Sequence, residues 1–244
     1  MKISIVTVSY NAEATIDKTI ESVLNQSTPP YEYIIKDGGS NDSTLDIVRS
    51  YVGKFEEKGI LYKIVSEKDN GIYDAMNKGI SMCNGDIIGM INADDWYEPD
   101  AVETVNAAYD KTPFDLFYAD IRLHKNDNIS FVKKSKNRRY ATSRDWNHPT
   151  TFITREMYGK YSYKTETLHD DYDLILRMKK DNVRICVVNK VLANFRMNGV
   201  SHERSLKSAL KRARIKYRIY RQNGYSAFYF VECYGVEFLK LIVG

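Results

Sequence analysis

The sequence predicts an α/β fold with a mostly parallel central sheet, because short β-type runs alternate with helical patterns through its first half. Helical spacing is clear at Ile16, Ile20 and Val23, which fall on one face of a helix. Such alternation is typical of crossovers in which each strand is followed by a helix. Strands are predicted at residues 3–8, 33–35, 61–65 and 86–91, and helices at residues 16–24, 42–51, 71–82 and 100–109.

The pattern changes after Phe114. Lys134 to Asn147 is polar and aperiodic, which predicts a mobile loop, and an apolar helix face begins near Asp171. No linker composition separates these parts, so we expect one domain over residues 1–200 and a helical extension over residues 201–244. Shorter, partly antiparallel strands are predicted at residues 114–118, 121–124, 129–133, 150–153, 183–188 and 191–195.

The bulk composition is ordinary for a folded protein, with 244 residues, 43% apolar and 28% charged. We find no apolar run long enough to span a bilayer, and the first residues have a strand pattern rather than that of a signal peptide. The three cysteines have no regular spacing, which predicts neither disulfides nor a metal cluster. These features lead us to expect a cytoplasmic protein.

The segment from Arg204 to Arg221 carries eight Lys or Arg and no acid. It combines these cations with an apolar stripe formed by Leu206, Leu210, Ala213, Tyr217 and Tyr220. An apolar stripe bordered by cations is typical of helices that lie on anionic membranes, so we expect peripheral contact with the inner face of the cytoplasmic membrane. Packing on the domain and a dimer contact remain alternatives. No nucleic acid is expected, because no recognition fold accompanies the helix.

Acidic or polar turns follow all four strands of the first half. Tyr10, Asp37, Asp69 and the pair Asp94-Asp95 stand at or just beyond the strand ends. Ligands of open α/β sheets bind beyond the carboxyl ends of the strands. Two adjacent carboxylates repel each other, and a divalent cation that carries a diphosphate would relieve this repulsion. Each turn alone could be a helix cap, but their coincidence at one edge favours a ligand site.

Four segments resemble, in order, the successive motifs of the family 2 glycosyltransferases, which have the GT-A fold. The resemblance extends over roughly residues 1 to 200 and is specific for the fold and for use of a nucleotide sugar, but not for the identity of the sugar. The segments are residues 6–11, 37–42, 71–79 and 92–95.

The resemblance implies a binding site for the donor nucleotide. Val8, Tyr10 and Asp37 would hold the nucleobase. Asp69 would lie near the nucleotide, and Asp94 would contact the ribose.

The resemblance also implies a metal ion on the donor diphosphate. Asp95 would bind Mn²⁺ or Mg²⁺, and His202 lies where some members place an extra ligand to the metal or diphosphate. The chain departs from many members at Asn92, where they carry a further Asp. Asp94 and Asp95 would then bear the ribose and metal roles.

A second acidic centre occurs at Asp170 and Asp171, which resemble the Glu-Asp segment of the family. An inverting transfer needs a carboxylate that takes the proton of the acceptor hydroxyl. The resemblance assigns this role to Asp171, with Asp170 in the preceding Glu position. Alternatively, the two carboxylates could serve only to stabilise the first turn of a helix. His148 resembles the acceptor side of the family, although a structural role before Pro149 is equally compatible.

These features predict an inverting, metal-dependent glycosyltransferase. It would move a sugar from a nucleoside diphosphate, with UDP as the expected nucleotide, to a hydroxyl of a glycan acceptor. The acceptor is expected to be linked to polyprenyl diphosphate. The reaction would belong to the assembly of a bacterial surface polysaccharide such as O-antigen, capsule or exopolysaccharide. A nucleotidyltransferase would show a Gly-rich basic loop after the first strand, and the segment from Ser9 to Glu13 is not one. A non-catalytic binding protein on the same fold would bind the nucleotide sugar without turnover.

Overall fold

The structure, a computed structural model, describes residues 1–126, 128–197 and 205–243. The strands are β1 (Ile3–Ser9), β2 (Glu32–Asp37), β3 (Leu61–Ser66), β4 (Ile87–Asn92), β5 (Trp96–Tyr97), β6 (Leu116–Asn126), β7 (Ile129–Lys133), β8 (Phe152–Thr154) and β9 (Ile185–Arg196). The helices are α1 (Ile16–Leu24), α2 (Thr44–Ser50), α3 (Val52–Glu57), α4 (Ile72–Ser81), α5 (Ala101–Lys111), α6 (Arg155–Lys160), α7 (Asp170–Lys180), α8 (Leu206–Gln222) and α9 (Tyr229–Val243). A 3₁₀ turn spans His148–Thr150.

The strands form one mixed sheet in the order β3-β2-β1-β4-β8-β6-β9-β5, with β7 paired to β6. The four strands of the first half are parallel, as the alternating pattern predicts. β8 then runs antiparallel to both β4 and β6, so the second half of the sheet is mixed. The predicted α/β class is thereby confirmed.

The parallel strands β1, β2 and β4 are buried on both faces, which explains their nearly continuous apolar sequences, whereas the edge strand β3 is partly exposed. Successive residues point to opposite faces of a strand. Accordingly, Ile5 and Ile35 belong to the core on the side of α1, whereas Val6 and Ile34 belong to the core on the side of α4. The sheet is thus held between two apolar layers, and its strand ends are left to form the site.

Two pairs of strands predicted in the second half are each a single long strand. β6 and β9 pair in parallel, and the register shifts between Ala119 and Ile121. This irregularity accommodates the polar residues Asn189 and Lys190, whose presence suggested a break in β9. The sequence pattern also missed β5, α3 and α6, each of which is too short to show a clear period.

The segment from Lys134 to Asn147 is irregular, as predicted, but both of its ends are bonded to the sheet. The backbone N–H of Ser135 donates to Asp120 Oδ1 at 2.7 Å, and Asn147 Nδ2 donates to the carbonyl oxygen of Ala119 at 3.0 Å. Midway, the ring of Tyr140 stacks on Tyr229 with centroids 4.4 Å apart. The segment therefore bridges the sheet and the C-terminal helices.

The helices α8 and α9 form an antiparallel pair that packs on α7. Glu237 is buried and forms ion pairs with Arg212 and Lys216, both at 2.8 Å. Of the predicted apolar stripe, Ala213 and Tyr220 are also buried, whereas Leu206 and Leu210 are exposed. The stripe is thus divided between the protein interior and the surface, and the membrane contact stays a prediction.

The domain boundary predicted at residue 200 lies outside the described residues. So does Arg204, where the predicted basic helix begins. Within the described residues, no helix is both long and apolar enough to cross a membrane. The three cysteines are free thiols.

The tight contact between β4 and β8 can be tested by substitution of a glycine in β4. A Cβ at Gly89 would lie 2.4 Å from the ring of Phe152. We expect Gly89→Ala to lower the free energy of unfolding by about 1–3 kcal/mol, because overpacking displaces that ring. Urea unfolding measures the change, with Gly53→Ala on α3 as the control, since a Cβ at Gly53 meets nothing within 4 Å. Equal effects of both substitutions would contradict the contact.

Candidate active site

The carboxyl ends of β3, β2, β1 and β4 lie side by side. In the register of the sheet, Ser9 pairs with Asp37, Asp37 with Ser66, and Val8 with Asn92. The turns that follow these strands therefore meet at one edge, as the sequence predicts. The geometry now shows which side chains of those turns come together.

Gly38 lies between the first and third turns. A Cβ at this position would stand 2.7 Å from Asp69 Oδ2 and 3.4 Å from Tyr10 Cδ2. Only a residue without a side chain allows this approach. The first turn is fixed to the second by Asn11, whose Oδ1 accepts from the backbone N–H of Asn41 at 3.0 Å. Tyr10, Gly38 and Asp69 thus form one surface.

Asp37 is fully buried and organises the second turn. It accepts hydrogen bonds from the hydroxyls of Ser9, Ser40 and Ser66 and from the backbone N–H groups of Gly39 and Ser40. Burial by itself would raise the pKa of Asp37, but the bonds from Ser40, Ser66 and Gly39 outweigh it and lower the pKa. The carboxylate therefore stays ionised, with both oxygens engaged by the protein.

The other residues expected at the nucleobase differ in exposure. The Val8 side chain packs in the core on the side of α4, so only its backbone is placed to meet a ligand. Tyr10 is 65% exposed and presents its ring at the surface of the first turn. Asp69 is partly exposed, and its Oδ1 accepts from the N–H of Gly71 at 2.9 Å.

Lys36 is a buried cation that the sequence patterns did not single out. Its Nζ donates to the carbonyl oxygens of Asp37 and Glu67 at 2.7 and 2.8 Å and lies 3.8 Å from Asp69 Oδ2. A buried ammonium needs such partners to offset its desolvation. Lys36 thereby joins the second turn to the third and holds Asp69 near Gly38. A lysine inside an apolar strand was the signal that could have revealed it.

Asp94 and Asp95 follow β4 with unequal exposure. Asp94 is partly exposed, whereas Asp95 is fully buried and its Oδ1 accepts from the backbone N–H of Arg196 at 3.1 Å. Burial raises the pKa of Asp94. Burial, reinforced by the adjacent charge of Asp94, raises the pKa of Asp95 well above its ordinary range. Both carboxylates would be stabilised as anions by a nearby cation.

Two buried acceptors in this loop support a cation at the site. Asp95 Oδ2 and Asn92 Oδ1 are buried, and no hydrogen-bond donor reaches either among the described residues. Within the same described residues, no three His, Cys, Asp or Glu side chains are grouped to hold a metal. The available set is thus a pair of carboxylates, which fits Mg²⁺ or Mn²⁺ whose other ligands are phosphate oxygens and water.

Arg196 is a further residue that the sequence patterns did not identify. Besides the bond from its backbone to Asp95, its guanidinium lies over the ring of Trp96, 5.8 Å from the centroid. Its charge lowers the pKa of both Asp94 and Asp95 against the effect of burial. The only signal in the sequence was a single charged residue between positions 191 and 197.

The two carboxylates at the start of α7 have different roles. Asp170 is buried and accepts from the backbone N–H groups of Glu166 and Thr167 at 2.6 and 3.0 Å, and from the Thr167 hydroxyl at 2.6 Å. Asp171 is partly exposed, and its Oδ1 accepts from the Tyr73 hydroxyl at 2.9 Å. Among the described residues no donor reaches Asp171 Oδ2, so this oxygen can accept from a substrate.

Tyr73 joins the two halves of the site. It lies in the first turn of α4, which follows the turn of Asp69, and its hydroxyl contacts Asp171 on α7. His148 is partly buried beside Tyr163, with ring centroids 6.3 Å apart, and its Nε2 is inaccessible to solvent. Burial lowers the pKa of His148, and the charge of Asp171 opposes this effect. Burial therefore favours the neutral form of His148, which lies close enough to Asp171 to be affected by its charge.

His202 lies outside the described residues, so the structure says nothing about its predicted role as a ligand.

The family comparison agrees with this geometry. A model of glycosyl transferase family 2 matches residues 4–169 of the chain. This match spans more than half of the 244 residues, and the chain belongs to that family.

Two curated relatives are similar in sequence. A PGL/p-HBAD biosynthesis glycosyltransferase of Mycobacterium bovis is 30% identical over 158 residues, which are 64% of this chain and 60% of the relative. The similarity thus extends over less than two thirds of that relative's length. A putative teichuronic acid biosynthesis glycosyltransferase of Bacillus subtilis, TuaG, is 27% identical over 233 residues, 88% of this chain and 87% of the relative.

Two solved structures share the fold. S. aureus TarS 1–349 in complex with UDP-GlcNAc has a TM-score of 0.70 and 15% identity, over 100% of this chain and 73% of that chain. The mannosyltransferase PcManGT from Pyrobaculum calidifontis, in complex with GDP-Man and Mn²⁺, has a TM-score of 0.69 and 13% identity, over 99% of this chain and 72% of that chain.

The network around Asp37 can be tested by its effect on stability. We expect Asp37→Asn to lower the free energy of unfolding by about 2 kcal/mol or more at pH 7, because an amide group would face donors in place of a carboxylate. Since the folded protein lowers the pKa of Asp37, its contribution is complete above about pH 4 and is lost as the pH falls further. Urea titrations at pH 7 and pH 3 should therefore show a smaller difference between variant and wild type at pH 3. A difference that is independent of pH would contradict this role.

Proposed function

We propose that this protein is an inverting, metal-dependent glycosyltransferase that uses a nucleoside-diphosphate sugar, with UDP as the expected nucleotide. The observation that carries the proposal is the presence of two separate acidic centres. One is Asp94-Asp95 at the end of β4, and the other is Asp171, held by Tyr73. A donor diphosphate and an acceptor hydroxyl need two such separate centres.

On the donor side, Tyr10 offers a ring on which a nucleobase can stack, and Asp69 can accept a hydrogen bond near it. Asp37 organises the turn against which the base would lie, in agreement with its place in the family motif. Asp94 is the carboxylate exposed toward a ribose, and Asp95 supplies the buried charge for the metal. The cation would offset the charge that develops on the departing diphosphate.

On the acceptor side, Asp171 would take the proton of the attacking hydroxyl through Oδ2. The hydroxyl oxygen forms a bond to the anomeric carbon as the bond to the diphosphate oxygen breaks, and the nucleoside diphosphate leaves with that electron pair. Attack from the face opposite the leaving group inverts the anomeric centre. Asp170 holds the loop before α7 in place, and thus positions Asp171.

The comparisons support this proposal at a coarser level. TarS structures contain UDP or UDP-GlcNAc, and PcManGT contains GDP-Man with Mn²⁺. The names of the curated relatives refer to teichuronic acid and PGL/p-HBAD biosynthesis. We infer a role in bacterial surface-polysaccharide assembly, with a glycan acceptor linked to polyprenyl diphosphate at the cytoplasmic face of the membrane. The basic helix α8 would supply the peripheral contact with that membrane.

The assignment of the base is tested by Asp171→Asn, which keeps the bond from Tyr73. We expect the rate of sugar transfer to fall by about 10²–10⁴-fold, because the acceptor proton has no base. The thermal shift given by the nucleotide should be unchanged, since the donor side is intact. Transfer of radiolabelled sugar measures the rate, and the exposed Asp110→Asn serves as the control.

Asp170→Asn should instead lower the melting temperature, because it disturbs the bonds to residues 166 and 167. Normal transfer by Asp171→Asn, or loss of nucleotide binding in that variant, would contradict the assignment.

The metal site is tested by Asp95→Ala. A panel of UDP, GDP, dTDP and CMP with Mn²⁺ or with EDTA should reveal one nucleotide whose thermal shift depends on the metal. We expect that dependence to disappear in Asp95→Ala, because the carboxylate with the unpartnered oxygen is gone. A metal-dependent shift of the same size in the variant would exclude Asp95 as a ligand.

A further inference from the structure

The outer side of α9 and of the turn before it is apolar over residues 227–239. Between residues 227 and 239, every exposed residue is apolar or glycine. Phe228 is 80% exposed and Val231 is 70% exposed. We call this set the apolar face; its members are Ala227, Phe228, Phe230, Val231, Gly235, Phe238 and Leu239. Contiguous apolar surface of this kind marks a site of interaction.

The neighbouring helix α8 presents cations. Its exposed charged residues are all basic, namely Lys207, Lys211, Arg214, Arg218 and Arg221. Its two other cations, Arg212 and Lys216, pair with the buried Glu237 of α9. No acid occurs within α8. We call the five exposed cations the basic face, and its charge is not neutralised within its own helix.

The two faces adjoin. Leu206 and Leu210 on α8 and Phe238 on α9 line one shallow groove. Further along, the ring of Tyr217 on α8 contacts the edge of Phe230, with centroids 5.7 Å apart. The apolar edge of α8 therefore continues the apolar face, and the basic face begins on the next side of α8. An apolar surface bordered by cations matches the layered chemistry of an anionic bilayer.

We propose that the pair α8–α9 docks on a bilayer of anionic lipids, with the apolar face of α9 inserted among the acyl chains and the basic face of α8 on the headgroups. The role of α9 is the new element, because Ala213 and Tyr220 of the apolar stripe predicted on α8 are buried and most of the exposed apolar residues lie on α9 and the turn before it. A second copy of the chain fits less well. A symmetric contact through the apolar face would bring two basic faces together.

The docked helices are attached to the helix that carries Asp171. The hydroxyls of Tyr172 and Tyr220 are hydrogen bonded, and Tyr220 stacks on Tyr229 with centroids 3.9 Å apart. Arg144 of the segment before His148 also pairs with Glu232 on α9 at 3.2 Å. If the proposed function holds, on which this step rests, docking would bring the acceptor side of the site to the membrane that contains a lipid-linked acceptor.

The test is co-sedimentation of the full chain with vesicles of phosphatidylcholine alone or with phosphatidylglycerol. We expect binding only to the anionic vesicles, and weaker binding at high salt because salt screens the basic face. The double variant Phe228→Asp/Val231→Asp should bind at least about tenfold more weakly. The matched control is Ile129→Asp/Phe131→Asp on β7, where the side chains are 51% and 48% exposed. This control should bind as the wild type does.

A third variant, Lys207→Glu/Lys211→Glu, should remove the preference for anionic lipid. Absence of binding by the wild type, or equal binding by Phe228→Asp/Val231→Asp, would overturn the proposal. If the wild type forms a concentration-dependent dimer that Phe228→Asp/Val231→Asp abolishes, the apolar face binds a second copy of the chain. That result would also overturn the proposal. The nucleotide thermal shift is measured in parallel, so that a failure of docking is distinguished from a failure of the proposed function.

Discussion

The parallel pairing of β3, β2, β1 and β4 is the constraint on which the site depends. It brings four strand ends to one edge, where Gly38 allows Tyr10 and Asp69 to approach the same turn. Buried polar groups then fix the turns: Asp37 collects donors from the strands on either side, and Lys36 bonds the second turn to the third. These groups are costly to bury alone, so each stabilises the fold only while its partners stay in place. Rigid turns are what a donor site requires, because a preorganised surface loses little entropy on binding.

The second half of the chain supplies the other acidic centre through a different kind of contact. Asp171 is held from α4 by Tyr73, and the helix that carries it is joined to α8 by the hydroxyls of Tyr172 and Tyr220. Tyrosine suits this place because its ring packs in the core while its hydroxyl satisfies a polar partner. The same contacts link the proposed membrane surface to the proposed base. The proposed donor and acceptor sides therefore belong to one connected structure.

The first half of the fold was predictable because strand and helix periods there are clean and each turn follows a strand. The edge that gathers Tyr10, Asp37, Asp69 and Asp94 follows from that alternation alone. The second half was less predictable, because the polar residues Asn189 and Lys190 lie inside a strand. An amphipathic period does not show whether Tyr220 faces the protein or the surface. The bond between Arg196 and Asp95 could not be predicted, because it joins residues far apart in sequence. The different roles of Asp170 and Asp171 likewise depend on hydrogen bonds that only the folded chain reveals.

The most direct test of the central claim is the position of manganese in a crystal grown with Mn²⁺ and the nucleoside diphosphate that gives the largest thermal shift. Anomalous scattering locates the ion without reference to the protein. We expect one strong peak at the carboxylates of Asp94 and Asp95, next to the diphosphate, with the base beside Tyr10. A nucleotide bound elsewhere, or an ion that touches neither carboxylate, would contradict it.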